Sequence, residues 1–193
     1  MARARLQKLT VEPLTAERWS DFEALFGERG ACGGCWCMYP VLSRKAYEAG
    51  KGAVNRRSMR ARVRGREEPG ILGYVRGEPT AWCSLGPRER FTRLAGSRIL
   101  APVDERPVWS IVCFFVARAW RQRGLSLQLI EAACRFAAQR GAHCIEAYPV
   151  APKNDPMPPA FAWTGIASAF FEAGFEEVAR RSPTRPIVRR ELA

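Results

Sequence analysis

The chain has 193 residues, of which 47% are hydrophobic and 26% charged, and its formal net charge is +12. This length and composition predict one soluble globular domain over residues 1–193 and argue against a membrane protein, because no apolar run approaches the ~20 residues that span a bilayer. Arginine supplies nearly all of the positive charge, which suits phosphate binding, although a coding bias towards arginine accounts for it equally well.

The first half of the chain predicts a strand, two helical regions and a hairpin. Apolar residues at helical spacing follow a candidate N-cap at Thr15, and a second helical region is expected to break near Gly50 and Gly52. In chain order, the predicted elements are a strand Leu6–Leu14, a helix ended by Gly27 and Gly30, a helical region from Ser43 to about Arg66, and strands Ile71–Val75 and Thr80–Leu85 around a hairpin turn at Arg76–Pro79.

The second half predicts alternating strands and helices after a basic connector, Pro87–Leu100, in which Phe91 and Leu94 share one helical face. A proline-rich loop, Pro149–Pro159, interrupts this pattern. The predicted elements are strand Val108–Val116, a helix from Leu127 to about Arg140 capped by Gly141, strand Cys144–Tyr148, helix Phe161–Ala173 stopped at Gly174, and strands Phe175–Ala179 and Ile187–Arg189.

The segment Arg121–Ser126 joins the apolar strand ending at Val116 to the helix that follows. The first turn of a helix leaves backbone N–H groups without partners, and the helix dipole adds partial positive charge there. Gly124 allows the backbone to approach a ligand closely, and Arg121 and Arg123 can reach phosphate oxygens. The segment therefore predicts a phosphate-binding turn, the alternative being an ordinary glycine-containing helix start.

Arg-x-x-Gly-x-Ser at 121–126 resembles the pyrophosphate-binding motif of the GNAT superfamily of N-acetyltransferases, Gln/Arg-x-x-Gly-x-Gly/Ala, with Ser126 as a mild departure. The order of predicted elements resembles the same fold along essentially the whole chain. Ala173-Gly174-Phe175 also resembles that family's junction between its last helix and the next strand. The resemblance implies an α+β, three-layer α/β/α fold. Its sheet is mixed and mostly antiparallel, has about seven strands, and splays at a central pair.

The same resemblance implies acetyl-CoA as co-substrate and direct acetyl transfer to an amine. The pyrophosphate would bind the N–H groups of Gln122, Arg123, Gly124, Leu125, Ser126 and Leu127. The backbone of Phe114, Phe115 and Val116 would pair with the pantetheine arm, with the Val116 N–H polarising the thioester carbonyl. The side chains of Phe114 and Phe115 are expected to pack in the core.

The acid and base cannot be carried over from the family. The position of its usual glutamate is Ser110, and the position of its usual tyrosine is Phe170. Glu146 and Tyr148 are the substitutes predicted here, because strand alternation puts them on one face beside the splay. A carboxylate on an apolar strand often has a raised pKa, which suits a general base, and Tyr148 could donate a proton. The alternative is that Glu146 pairs with an arginine and Tyr148 simply packs.

The loop Gly30–Pro40 contains Cys32, Cys35 and Cys37. Zinc binding is not favoured, because the chain has one histidine and no second Cys-x-x-Cys. In this fold the region often covers the acceptor pocket, so Trp36, Met38 and Tyr39 are candidate substrate-binding residues. A core-capping aromatic loop is an equal alternative.

Two functions remain open from the sequence. One is an acetyl-CoA-dependent N-acetyltransferase acting on an amine of a small molecule or protein, and the other is a catalytically weak CoA-binding module for sensing or partner binding. The basic N-terminus leads into polar sequence, and seven cysteines are an odd number, so a cytoplasmic protein without a disulfide framework is expected. Membrane binding is not expected and nucleic-acid binding is not favoured. A homodimer and the identity of the acceptor stay open.

Overall fold

The computed structural model describes residues 7–152 and 162–192, and its centre is a seven-stranded sheet. The strands are β1 Thr10–Pro13, β2 Gly70–Val75, β3 Glu78–Pro87, β4 Trp109–Val116, β5 Cys144–Ala147, β6 Glu176–Arg180 and β7 Pro186–Glu191. They lie in the order β1-β2-β3-β4-β5-β7-β6. Only β4 and β5 run parallel, and every other neighbouring pair is antiparallel. The mixed, mostly antiparallel sheet predicted from the sequence is confirmed.

The helices within this described part of the chain agree with the predicted order. They are α1 Trp19–Phe26, α2 Arg44–Gly50, α3 Ala53–Arg64, α4 Thr92–Ala95, α5 Leu125–Ala138 and α6 Ala167–Glu172. The break between α2 and α3 falls at Gly52, whose φ of 85° ends one helix before the next begins. None of these helices is long and apolar enough to cross a bilayer.

Helices cover both faces of the sheet, so the inner strands β2, β3 and β5 are buried on two sides, whereas β1 and β6 at the edges are partly or largely exposed. On β2, Ile71 packs into the cluster that contains α5 and α6, whereas Leu72 packs with α1 and α3 on the other face. Trp82 of β3 points towards α1 and meets the Phe22 ring edge-on at 4.9 Å. The alternation of side chains along each strand therefore builds the three-layer α/β/α arrangement.

The central pair of strands is splayed, as the family resemblance implied. β4 and β5 pair only where Trp109–Ile111 lies beside Ile145–Ala147, and β4 then continues to Val116 while β5 ends. A register shift against β3 places a bulge in β4 between Ile111 and Cys113. A bulge bends the strand that carries it, so β4 and β5 separate into an open gap.

The helix predicted over Phe161–Ala173 is shorter than expected. It begins at Ala167, because two main-chain bonds to Val150 hold Ile166 in extended form: the Val150 N–H donates to Gly165 O, and the Ala167 N–H donates to Val150 O, each at 2.9 Å. The predicted start at Phe161 lies outside the described residues, as do most of the proline-rich loop and Leu6 of the first strand.

Candidate functional site

The gap between β4 and β5 opens on the α5 face into a cavity of about 410 Å³, which we call the α5-side cavity. Its wall combines the end of β4, the start of α5 and the segment before α6. Among the lining residues are Phe114, Phe115, Val116, Arg121, Ser126, Ile130, Trp163 and Ile166. Five of the ten residues predicted to bind the cofactor thus line one cavity.

The turn before α5 has the geometry of an anion site. Gly124 is left-handed with a φ of 73°, and α5 begins at the next residue. In the part of the chain that the structure describes, the backbone N–H groups from Gln122 to Leu127 donate to no acceptor. Arg121 donates from Nε to the Val116 carbonyl at 2.9 Å, which ties the turn to the end of β4. Unpartnered N–H groups beside an exposed guanidinium suit a phosphate.

The backbone of β4 presents donors to the gap. The Ala117 N–H donates to Thr80 O on β3 at 2.9 Å, so the N–H of the preceding residue, Val116, points to the opposite side. On that same side the Phe114 N–H donates to Trp163 O at 2.6 Å. A ligand arm pairing along β4 finds the Val116 donor free, whereas at Phe114 it competes with the Trp163 carbonyl.

A second cavity of about 530 Å³, the α4-side cavity, lies on the other side of the gap. Val112 of the β4 bulge and Tyr148 just after β5 form its floor, while Tyr39 and the turn between β6 and β7 contribute to its walls. Trp163 lines both cavities and stands between them. Two ligands entering from opposite sides would therefore meet beside Trp163, the lining residue that the two cavities share.

A buried polar network lies beneath the floor of the α4-side cavity. Ser110 of β4 and Glu146 of β5 are direct register partners, and both are within 1% of complete burial. The Tyr148 hydroxyl donates to Glu146 Oε2 at 2.8 Å and lies 2.8 Å from Ser110 Oγ. Ser110 is the position at which the resemblance leads one to expect a glutamate. Glu146 therefore places a carboxylate directly beside that position, on the adjacent strand β5.

Two arginines hold the Glu146 carboxylate from opposite sides. Arg88 donates to Oε2 at 3.2 Å and also to the Tyr148 hydroxyl, and Arg189 donates from Nε to Oε1 at 2.7 Å. Arg189 in turn binds Asp104 through both terminal nitrogens, at 2.6 and 2.8 Å. The arginine pairing that the sequence left as an alternative for Glu146 is therefore present, and it coexists with the bond to Tyr148.

These surroundings shift the pKa values of Tyr148 and Asp104. Burial raises the pKa of the Tyr148 hydroxyl far above its ordinary value, and the negative charge of Glu146 adds to that rise. The bond from Arg189 lowers the pKa of Asp104 to about 2. Tyr148 therefore keeps its proton at neutral pH and can act as a proton donor there.

Replacing Glu146 with Gln is expected to cost about 3–5 kcal/mol of folding stability, because two nearly buried arginines lose the charge that they share. For a chain of this size, that corresponds to a fall in melting temperature of about 10 °C. Chemical denaturation at pH 7 measures the effect. Glu191→Gln is the matched control, since Glu191 is 65% exposed in its pair with Arg106 and its loss should leave the midpoint almost unchanged. Equal midpoints for the two variants would contradict this account of the network.

The three substrate-binding residues predicted in the cysteine loop, Gly30–Pro40, lie in two different places. Trp36 and Met38 are buried in the cluster around α1, with Trp36 stacked on Phe26 at 5.9 Å. Tyr39 lines the α4-side cavity and contacts Trp163 edge-on at 5.1 Å. A role of Trp36 or Met38 in substrate binding stays a prediction.

The thiols of this loop differ in exposure: Cys32 is exposed, Cys35 is half-buried and Cys37 is buried. Over residues 7–152 and 162–192, no group of three or more His, Cys, Asp or Glu side chains is arranged to hold a metal ion.

Sequence reasoning missed Trp163, Arg88 and Arg189. Trp163 follows a proline-rich loop and falls inside a segment predicted to be helical. Arg88 and Arg189 are two among the 31 basic residues of the chain. Their partners come from strands distant in sequence, so no local pattern distinguishes them from exposed arginines.

A sequence model of the acetyltransferase (GNAT) family matches residues 36–163, about two thirds of the chain. No curated protein matches the chain as a relative.

Several solved structures share the fold at low sequence identity. The PaiA N-acetyltransferase from Thermoplasma acidophilum, solved in complex with coenzyme A, is 10% identical over 95% of this chain and 99% of that chain, with a TM-score of 0.53. An acetyltransferase of the GNAT family from Listeria monocytogenes is 12% identical over 95% of both chains, with a TM-score of 0.57. The GNAT domain of S. lividans PAT is 17% identical over 94% of this chain and 89% of that chain, with a TM-score of 0.51. At these identities the likeness concerns the fold alone.

Proposed function

The chain belongs to the acetyltransferase (GNAT) family, and from that premise we propose that it transfers an acetyl group from acetyl-CoA directly to the amine of a small molecule or a protein. The observation that carries the proposal is the pair of cavities that meet at Trp163 across the gap between β4 and β5. One cavity begins at a phosphate-binding turn, and the other is closed by a protonated tyrosine. This arrangement suits a donor and an acceptor that approach one another from opposite sides.

The residues around the α5-side cavity fit the donor. The unpartnered N–H groups from Gln122 to Leu127, together with Arg121, would hold the pyrophosphate. The backbone from Phe114 to Val116 would orient the pantetheine arm. When bound, acetyl-CoA supplies an activated acyl group as a thioester. The free Val116 N–H is the donor placed to stabilise negative charge on the acyl oxygen.

Proton movement is assigned to Tyr148, with Glu146 behind it. Acetyl transfer forms a C–N bond, breaks a C–S bond, removes a proton from the amine and adds one to the departing sulfur. Tyr148 lines the acceptor side, and its hydroxyl, which lies in the network beneath the floor, keeps its proton at neutral pH and is the group proposed to protonate the sulfur. Glu146 accepts a hydrogen bond from that hydroxyl and can orient it, although its own carboxylate is buried.

One observation favours the alternative of a CoA-binding module with little catalysis. The Glu146 carboxylate is engaged by two arginines, and none of the described residues that line the α4-side cavity is Asp or Glu. A site without a free carboxylate depends on solvent, or on the amine arriving deprotonated, to remove the proton.

An acetyl-CoA turnover assay across a panel of amines and peptides decides between the two functions. We expect thiol release that depends on the amine, saturates, and yields an acetylated product detectable by mass spectrometry. Tight binding of acetyl-CoA without amine-dependent product from any member of the panel would support the binding module instead.

A further inference from the structure

The α4-side cavity is positively charged. Among residues 7–152 and 162–192, its lining includes three arginines, Arg44, Arg93 and Arg185, and neither aspartate nor glutamate. The remaining walls are aromatic, apolar or hydroxyl-bearing, with Tyr39, Trp163 and Thr164 among them. A cavity with low-dielectric walls and charge of one sign concentrates ligands of the opposite charge.

Arg93 lies in this wall with part of its hydrogen-bonding capacity unused. Its Nε is buried and donates to no acceptor in the described parts of the chain. Its guanidinium sits 4.4 Å from the centroid of the Tyr39 ring, and its backbone N–H donates to Pro40 O at 3.1 Å. The side chain is therefore held in place by an aromatic face rather than by a carboxylate.

Arg185 is held in a comparable way on the turn between β6 and β7. Its Nη1 donates to the Thr164 hydroxyl at 2.9 Å, and within residues 7–152 and 162–192 it forms no ion pair. Burial lowers the pKa of its guanidinium. Elsewhere in the described structure, partly buried arginines such as Arg62 and Arg190 have carboxylate partners.

An unpaired guanidinium is unremarkable on the surface of a chain with this excess of arginine. It is costly in a cavity wall, because a partly desolvated charge without a counter-ion loses more hydration than contacts with neutral groups replace. Two such groups in one wall, each positioned by neighbouring side chains, form a ready-made site for an oxyanion.

We propose that the α4-side cavity accepts amines that also carry an anionic group, a carboxylate or a phosphate, which Arg93 and Arg185 bind. The inference rests on the proposed function of this cavity as the acceptor side. With the anion at the arginines, the amine end of the ligand extends towards Trp163, which lines both cavities. The acceptor class is therefore an acidic small amine, such as an amino acid or a phosphorylated amine, rather than a polycation.

Matched pairs of acceptors test the proposal. An α-amino acid is compared with the amine that lacks its carboxylate, and phosphoethanolamine is compared with ethanolamine, so that the two arms distinguish a carboxylate from a phosphate. We expect kcat/KM to be roughly ten- to a hundredfold higher for the anionic member of at least one pair, as charge-assisted hydrogen bonds predict. Neutral amines preferred in both pairs would overturn the inference while leaving the acetyltransferase proposal intact.

Variants test the assignment to the two arginines. Arg93→Gln and Arg185→Gln should each reduce that preference, the ratio of kcat/KM for the anionic amine to kcat/KM for the neutral one, by about tenfold. Arg98→Gln is the control, because Arg98 is exposed on the same connector, does not line the cavity and carries the same charge. Equal preference in all three variants would remove Arg93 and Arg185 from anion binding.

A binding experiment keeps the inference testable if no amine is turned over. Coenzyme A is first added to saturation so that the turn at Arg121–Ser126 is filled, and the protein is then titrated with inorganic phosphate and, separately, with acetate. We expect binding of at least one anion, weakened about tenfold in the Arg93→Gln/Arg185→Gln double variant and unchanged in Arg98→Gln. Absence of binding, or binding unaffected by the double variant, would overturn the anion site independently of catalysis.

Discussion

Tyr148→Phe is expected to lower kcat by roughly 10²–10⁴-fold, the usual contribution of a positioned proton donor or acceptor. The variant removes the one hydroxyl that joins the α4-side cavity to Glu146, while the ring that fills the floor is kept. Because burial holds the pKa of Tyr148 far above its ordinary value, the hydroxyl stays protonated across the working range. The wild-type rate should therefore not fall between pH 7 and about 10 through loss of this acid, since the donor form persists above its ordinary pKa of ~10.

The measurements are initial rates over a pH series and the dissociation constant of acetyl-CoA, which should be unchanged. Tyr74→Phe is the matched control: its hydroxyl also donates to a carboxylate, Asp21 Oδ2 at 2.8 Å, but it lies on the α1 face away from both cavities. The control should keep its turnover. A folded Tyr148→Phe protein with kcat within twofold of the wild type would exclude Tyr148 as the proton donor.

Gly124→Glu is expected to weaken acetyl-CoA binding more than about a hundredfold. The substitution places a carboxylate where the pyrophosphate would bind, so several charge-assisted bonds of ~1.5–3 kcal/mol each are lost or opposed. It also forces a side chain into a left-handed position, where φ is 73°. Calorimetric titration with acetyl-CoA measures the affinity, and circular dichroism verifies that the variant is folded.

Two further variants separate charge from backbone strain. Gly141→Glu imposes the same side chain at a φ of 81° beyond the other end of α5, where nothing lies within 4 Å, and it should bind acetyl-CoA normally. Gly124→Ala introduces the strain without the charge and should fall between Gly124→Glu and the wild type. Unchanged affinity in a folded Gly124→Glu protein would mean that the pyrophosphate does not bind at this turn.

The parts of the fold that were predicted well are those determined by local pattern. Trp19, Phe22 and Phe26 recur at helical spacing, which predicts a helix with one buried face. Along β2, successive side chains pack on opposite faces of the sheet, as expected for a strand. The short α6 was mispredicted because main-chain pairing with Val150 holds Ile166 extended, and no local pattern reveals a partner so far away in sequence.

The candidate site likewise has one part that local sequence determines and another that depends on the tertiary structure. By itself, the sequence determined the order of elements and the strand–turn–helix at Arg121–Ser126, because a helix start with a left-handed glycine is a local feature. Only the tertiary structure decided that Glu146 lies beside Ser110, that two arginines share its charge, and that Arg93 and Arg185 line a cavity to which the described part of the chain contributes no carboxylate. The physical reason is that the protonation state of a charged group, and the energy with which it binds an ion, depend on the surrounding charges and water. Both are set by strands and loops distant in sequence.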